Sequence, residues 1–238
     1  MANRNLSFIL HTYLTISSQR QGEASPISPG EFVAFFIGGA GDKRRYCGYG
    51  PTELVRKAAL VPFVRRIGRC APVSARMEYL GYEEIHGEGN INAKVLPCIP
   101  GIEIPVYIIG HSFGGWNAAH LCRYLADAGY NVRMLVTLDP VGGGLVARMD
   151  HSLYARPEVS PHARFWINVS CRPRSGNVSD AVASLGRRWY PQVGPDVYHE
   201  SPFSHADVAD MFMEAVAQGR SAMDLLEADI RMNTNHTL

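Results

Sequence analysis

A serine held between glycines can be turned into a nucleophile, and Gly110-His111-Ser112-Phe113-Gly114, extended by Gly115, has the G-x-S-x-G spacing that does so. A sharp strand-to-helix turn keeps such a serine in strained backbone geometry, and side chains beside it would collide with the neighbouring strand and helix. The turn lifts the hydroxyl to the edge of a sheet, where the dipole of the following helix faces any negative charge that develops. The bare pattern is common, but both required neighbours are present here. Residues 105–109 (PVYII) form a β-rich apolar run before the motif, and 116–129 (WNAAHLCRYLADAG) form an amphipathic helical pattern after it. The plain alternative is a glycine-rich turn with a passive serine.

The partners of such a serine follow it in chain order, acid and then histidine. Asp139 ends the next apolar run, 134–138 (MLVTL), one helix and one strand downstream of Ser112. Asp180 and Asp196 stand in reserve, and an ordinary Asp-Pro turn is the competing reading of Asp139. Position removes most histidines. His11 and His86 precede Ser112, His111 lies inside the motif and His120 lies on its helix. His151 and His162 fall in an expected loop or lid, and His236 falls in a polar tail. That leaves His199 and His205, on either side of the turn-rich stretch 201–204 (SPFS). His205, at the expected start of a helix whose N-terminus disfavours imidazolium, is the expected base. His199 follows Val197-Tyr198, belongs to a strand end, and is the reserve. The N–H groups expected to bind an oxyanion are those of Phe113 and of Gly39 or Ala40, where 35–37 (FFI) breaks into glycines. This chemistry calls for no metal and no cofactor.

The elements that must hold these groups are legible as alternation. Runs at 31–37 (EFVAFFI), 105–109, 134–138 and 164–171 (RFWINVSC) are apolar without interruption, as strands covered on both faces are. Helical spacing appears in 51–69 (Leu54, Val55, Ala58, Ala59) and in 116–128 (Ala118, Ala119, Leu121, Cys122, Leu125). It appears again in 205–219, with Ser204 as cap and Val208, Met211, Phe212, Ala215 and Val216 inward. Strands and helices in turn predict an α/β fold with a mostly parallel central sheet and helices on both faces. The 238 residues are read as one such domain, with a lid or excursion expected at 142–162 and an irregular one at 175–195.

Hydrophobic residues make up 46% of the chain and charged residues 19%, enough apolar surface for a substantial core. A formal net charge of +1 argues against a surface built for nucleic acid. The first apolar stretch, 6–16, is broken by His11, Thr12 and Thr15 and fits a first strand better than a signal peptide, so the chain is expected to be cytoplasmic when made, with export by a signal-independent route the alternative. Five cysteines, Cys47, Cys70, Cys98, Cys122 and Cys171, cannot all pair and lack metal-ligand spacing, so they read as buried thiols. A basic stretch runs from Lys43 to Arg76. Its first members, Lys43, Arg44 and Arg45, directly follow the glycine loop and could rim the site for a phosphate, or simply belong to a solvated face.

With these residues in view, the chain over roughly 31–217 resembles the α/β-hydrolase superfamily. The stretch GHSFGGWNAAHLCRYLADAGYNVRMLVTLDP is similar to thioesterase domains and stand-alone thioesterases of polyketide and non-ribosomal peptide systems, and FFIGGAGD looks like their oxyanion loop. TLDPVG, FWINV and SHADVADMF look equally like small bacterial lipases, including those delivered as secretion-system effectors. The resemblance implies Ser112, His205 and Asp139 as a triad. It does not fix the substrate: a lipid or fatty-acyl ester, with transient contact with a membrane surface, is the leading expectation, an acyl thioester is the alternative, and a hydrolase-fold protein that only binds is the remaining one.

Overall fold

In this chain the uninterrupted apolar runs become strands. In the computed structural model, which describes residues 31–67, 75–144, 149–155, 159–191 and 193–235, β1 is Val33–Gly38, β2 Arg76–Gly81, β3 Val106–His111, β4 Val132–Leu138, β5 Phe165–Cys171 and β6 Val197–Ser201. They form one six-stranded sheet in the order β2-β1-β3-β4-β5-β6, and all five pairings are parallel. Parallel neighbours need a crossover between them, and the helices supply it. Helix α1 (a wide turn, Arg56–Leu60, running into Val61–Ile67) joins β1 to β2, and α2 (Phe113–Asp127) joins β3 to β4. Helix α3 (Val178–Leu185) joins β5 to β6, while α4 (Val208–Met213) and α5 (Ala222–Asn235) follow the sheet.

The period of two sorts the side chains onto two cores. Val33, Phe35 and Ile37 of β1, with Val106 and Ile108 of β3, meet Trp116, Leu121 and Leu125 of α2 on one face. Ala34 and Phe36, with Tyr107 and Ile109, meet Phe63 of α1, Phe212 of α4 and Leu226 of α5 on the other. The predicted α/β fold, a parallel sheet covered on both faces, is the observed one.

Three expectations change. The helix expected over 205–219 is only α4, with Asp207 and not Ser204 at its N-cap position. The chain leaves it at Glu214 and forms a small antiparallel hairpin, β7 (Ala215–Ala217) with β8 (Arg220–Ser221). Its turn residues Gln218 and Gly219 both have positive φ, 50° and 73°, the signature of a two-residue hairpin turn. The long last helix is α5, whose entry is capped reciprocally. The Ser221 Oγ accepts from Asp224 N at 3.0 Å, and the Asp224 Oδ2 accepts from Ser221 N at 2.8 Å. Second, the irregular excursion expected at 175–195 contains α3, whose cap Asn177 accepts from Ser179 N at 2.8 Å. Third, the described part of the expected 142–162 lid is stitched to α2, the helix that leaves the sharp turn, or elbow, at Ser112. The Trp116 indole donates to Tyr154 O at 2.8 Å, and the Asn117 amide to Ser152 O at 2.8 Å. The expected strand at 6–16, His11, Cys70, Arg69 and His236 lie outside the described residues.

Candidate active site

Ser112 stands between the last residue of β3 and the first of α2, with φ 58° and ψ −129°, a conformation most residues avoid. Its backbone is pinned there. Its N–H donates to Leu138 O at 3.2 Å, and its carbonyl accepts from Gly115, Trp116 and Val141 N–H groups at 3.0, 3.2 and 3.0 Å. The glycines behave as the motif demands. A Cβ on Gly114 would lie 2.4 Å from the Ile37 carbonyl oxygen at the end of β1, so only a bare Cα lets the helix start this close to the sheet.

Three sequence-predicted groups come together at this edge. The Ser112 Oγ lies 3.0 Å from His205 Nε2, and His205 Nδ1 lies 2.6 Å from Asp139 Oδ2. A carboxylate can only accept, so the ring proton sits on Nδ1 and Nε2 is left to accept from the serine hydroxyl. All three are buried: Ser112 and His205 are 8% exposed and Asp139 is 1% exposed. Asp139 is held by the next strand, donating its N–H to Val169 O at 2.7 Å while its Oδ1 accepts from Cys171 N at 3.0 Å. Burial pushes its carboxyl upward, but hydrogen bonds from His205 and Arg188 outweigh that and hold it below the ordinary carboxylate range.

His205 does not open a helix as expected. It sits in the turn that precedes α4, fixed at both ends of its own backbone: its N–H donates to Asp180 Oδ1 at 3.0 Å, and its carbonyl accepts from His111 Nε2 at 2.8 Å. Phe203, just before it, packs against the second core. His199 is not part of this group. It lies on β6 opposite Val169, with Nε2 3.4 Å from Glu214 Oε2. The reserve acids have other tasks, Asp196 accepting from Trp166 N at 2.7 Å and Asp180 binding Arg188 Nη2 at 2.6 Å.

The glycine loop also reaches Ser112. A Cβ on Gly39 would fall 2.6 Å from Ser112 Cβ and 3.1 Å from its Oγ, so the backbone of this residue runs against the serine, with half-buried Ala40 next in line. Phe113, as the first residue of α2, has an N–H with no acceptor inside the helix. Asp42 ties the loop down, its buried carboxylate accepting from Leu54 N and, at 3.1 Å, from Val55 N at the head of the α1 run. Two of the three expected rim residues are ion-paired. Lys43 Nζ pairs with Glu84 at 2.6 Å and Arg44 with Glu83 at 3.3 Å, and only exposed Arg45 has no ion-pair partner among the described residues. Further along, Arg56 and Arg76 are likewise paired.

No protein-family model matches the chain, and no curated protein does. Among solved structures it is similar to the esterase domain of a Rhodothermus marinus protein, at 12% identity and a TM-score of 0.41, over 88% of this chain and 90% of that one.

Sequence reasoning missed three groups at the site. Arg188 donates from Nε to Asp139 Oδ2 at 2.7 Å, with its side chain only 9% exposed. Nothing in the spacing of Gly186-Arg187-Arg188 announces this. Asp180 was visible only as a reserve acid. His111 had a signal: the alternation Tyr107, Ile109, His111 puts it on the face of α4 and its preceding turn. Among the described residues, no cluster of three or more His, Cys, Asp or Glu side chains is arranged to hold a metal ion. Three of the four described cysteines are buried, and Cys47 is exposed.

Proposed function

We propose that the protein is a serine hydrolase that cleaves carboxylic esters of lipid or fatty-acyl substrates. The observation that supports it is the continuous relay from Ser112 Oγ to His205 Nε2, 3.0 Å, and from His205 Nδ1 to Asp139, 2.6 Å. In this reading Ser112 attacks the ester carbonyl while His205 Nε2 takes its proton, and Asp139 orients the imidazole and stabilises the imidazolium. The N–H groups of Phe113 and of Gly39 or Ala40 bind the developing oxyanion. His205 returns the proton to the departing alcohol, leaving an acyl-enzyme. Water, deprotonated by the same histidine, then attacks that ester and releases the acid and the serine.

The lipid leaning has its own support. Helix α3, whose inner side carries Asp180, exposes Val178, Val182 and Leu185 at 81%, 60% and 74%, at the i, i+4 and i+7 spacing of one helical stripe. An apolar stripe beside the site suits a substrate presented by a lipid–water surface, which also makes transient membrane contact the proposed association.

Labelling with a fluorophosphonate is the direct test. Wild type should react, Ser112→Ala should not, and His205→Ala should slow the reaction by about 10⁴-fold or more, while His199→Ala should stay within about tenfold of wild type. Equal labelling of wild type and Ser112→Ala removes the assignment, and a larger loss for His199→Ala moves the base. Turnover of a phospholipid, a neutral lipid and an acyl-coenzyme A side by side should favour a lipid ester. A strong preference for the thioester replaces the substrate class.

A further inference from the structure

The acid of the relay carries a cation that the chemistry above does not use. Arg188 Nε donates to Asp139 Oδ2, the same oxygen that accepts from His205 Nδ1, at 2.7 and 2.6 Å respectively. A cation bound there on its own weakens the pull of the carboxylate on an imidazolium. The same guanidinium, however, donates from Nη2 to Asp180 Oδ1 at 2.6 Å and from Nη1 to Ser184 Oγ at 3.1 Å. Asp180 Oδ1 in turn accepts the His205 backbone N–H at 3.0 Å. The histidine is therefore gripped twice by one cluster, through its ring by Asp139 and through its main chain by Asp180, with Arg188 between the two carboxylates. Two anions and one cation leave the cluster with the single negative charge of an isolated triad acid.

We propose that Arg188 and Asp180 are positioning residues that act as a charge-compensated clamp on Asp139 and His205, and that their opposite charges set the pH at which Ser112 becomes reactive. The clamp presumes the triad roles given above. Other titratable groups face the same pair. His111 approaches from β3 with its ring centroid 4.5 Å from that of His205, and burial first, then the neighbouring His205, keeps it neutral, pushed down to about 3. From β5 the Cys171 thiol is raised by burial and stays neutral, and beside Arg188 the Tyr190 phenol is raised by burial as well. Among the described residues, that leaves Arg188 and Asp180 as the charged side chains touching the acid and the histidine. A buried ion pair that merely ties α3 to the sheet would share these contacts, so the discriminating property is the sign of the charge.

The test is the pH profile of kcat/KM on a soluble short-chain ester, paired with fluorophosphonate labelling rates across the same pH range, for wild type and four variants. Arg188→Met leaves two carboxylates around the histidine and should move the acid limb up by about one pH unit, whereas Asp180→Asn leaves a neutral cluster and should move it down by a similar amount. Arg188→Met combined with Asp180→Asn restores the single negative charge and should return the limb close to wild type. Arg188→Lys keeps the charge without the fork geometry, so its limb should stay in place while kcat falls. If Arg188→Met does not fold, Asp180→Asn and Arg188→Lys still carry the test. Limbs that stay together in Asp180→Asn and wild type, or that move in the same direction in Arg188→Met and Asp180→Asn, overturn the clamp while leaving the triad standing. A wild type that neither labels nor turns over overturns both.

Discussion

His111 immediately precedes Ser112, and its Nε2 faces the carbonyl of His205 at 2.8 Å, so that nitrogen must carry a proton and donate it. Burial, with the neighbouring His205 second, keeps the imidazole neutral down to about pH 3. In the unfolded chain the same ring takes up a proton near pH 6.5. The folded state thus binds fewer protons between about pH 6.5 and about 3, and stability falls as pH drops through that window, by up to about 1.4 kcal/mol per pH unit for this one group. His111→Asn removes the titration. Urea denaturation at a series of pH values should show the variant less stable at pH 7 but losing less than wild type on the way to pH 4.5. Parallel curves would mean that His111 does not stay neutral. At this scale the sequence was readable where chemistry imposes an order. Ser112, Asp139 and His205 follow one another in the order the chemistry requires, whereas Arg188 reaches Asp139 across 49 residues and Asp180 reaches His205 across 25, and contacts between such distant segments leave no spacing in the chain.

The elements divide in a similar way. Central strands β1, β3, β4 and β5 are enclosed on both faces, so their apolar runs stand out. Edge strands β2 (RMEYLG) and β6 (VYHES) pair on one side only and can be polar, which hides them from a reading based on hydrophobic runs. The helix after His205 was overextended because 205–219 keeps apolar spacing through Val216, although the turn at Gln218-Gly219 breaks it into helix and hairpin. Glycine placement offers a contrast between elements that can be tested. Gly114→Ala puts a methyl group 2.4 Å from the Ile37 carbonyl and 2.8 Å from that of Gly38, backbone atoms that cannot step aside singly. It should cost about 1–3 kcal/mol and depress Ser112 labelling, because α2 must move off β1. Gly129→Ala meets nothing within 4 Å but must adopt φ +85°, so thermal melting should register about 1 kcal/mol of strain while labelling stays at the wild-type rate. Equal labelling losses in both would show that the elbow does not depend on this contact.

For the molecule as a whole, the exposed stripe of α3 separates binding to a surface from chemistry. Replacing Val178, Val182 and Leu185 together by serine should weaken flotation with anionic phospholipid vesicles by at least about tenfold, since each aliphatic side chain contributes about 1.5–3 kcal/mol when fully withdrawn from water, while turnover of a soluble ester is unchanged. Unaltered vesicle binding would end the surface role of this helix. Among the described residues no helix is long and apolar enough to cross a membrane. The relay also has a temporal meaning. Its two hydrogen bonds close spans of 66 and 93 residues, from the end of β4 and from the end of β3 to a turn beyond the edge strand β6. Contacts between such distant parts of a chain are the slow ones to form, because loop-closure entropy has to be overcome first. If Ser112 is the nucleophile proposed above, its reactivity is then a clock for folding, expected to begin only once the sheet is complete to its far edge.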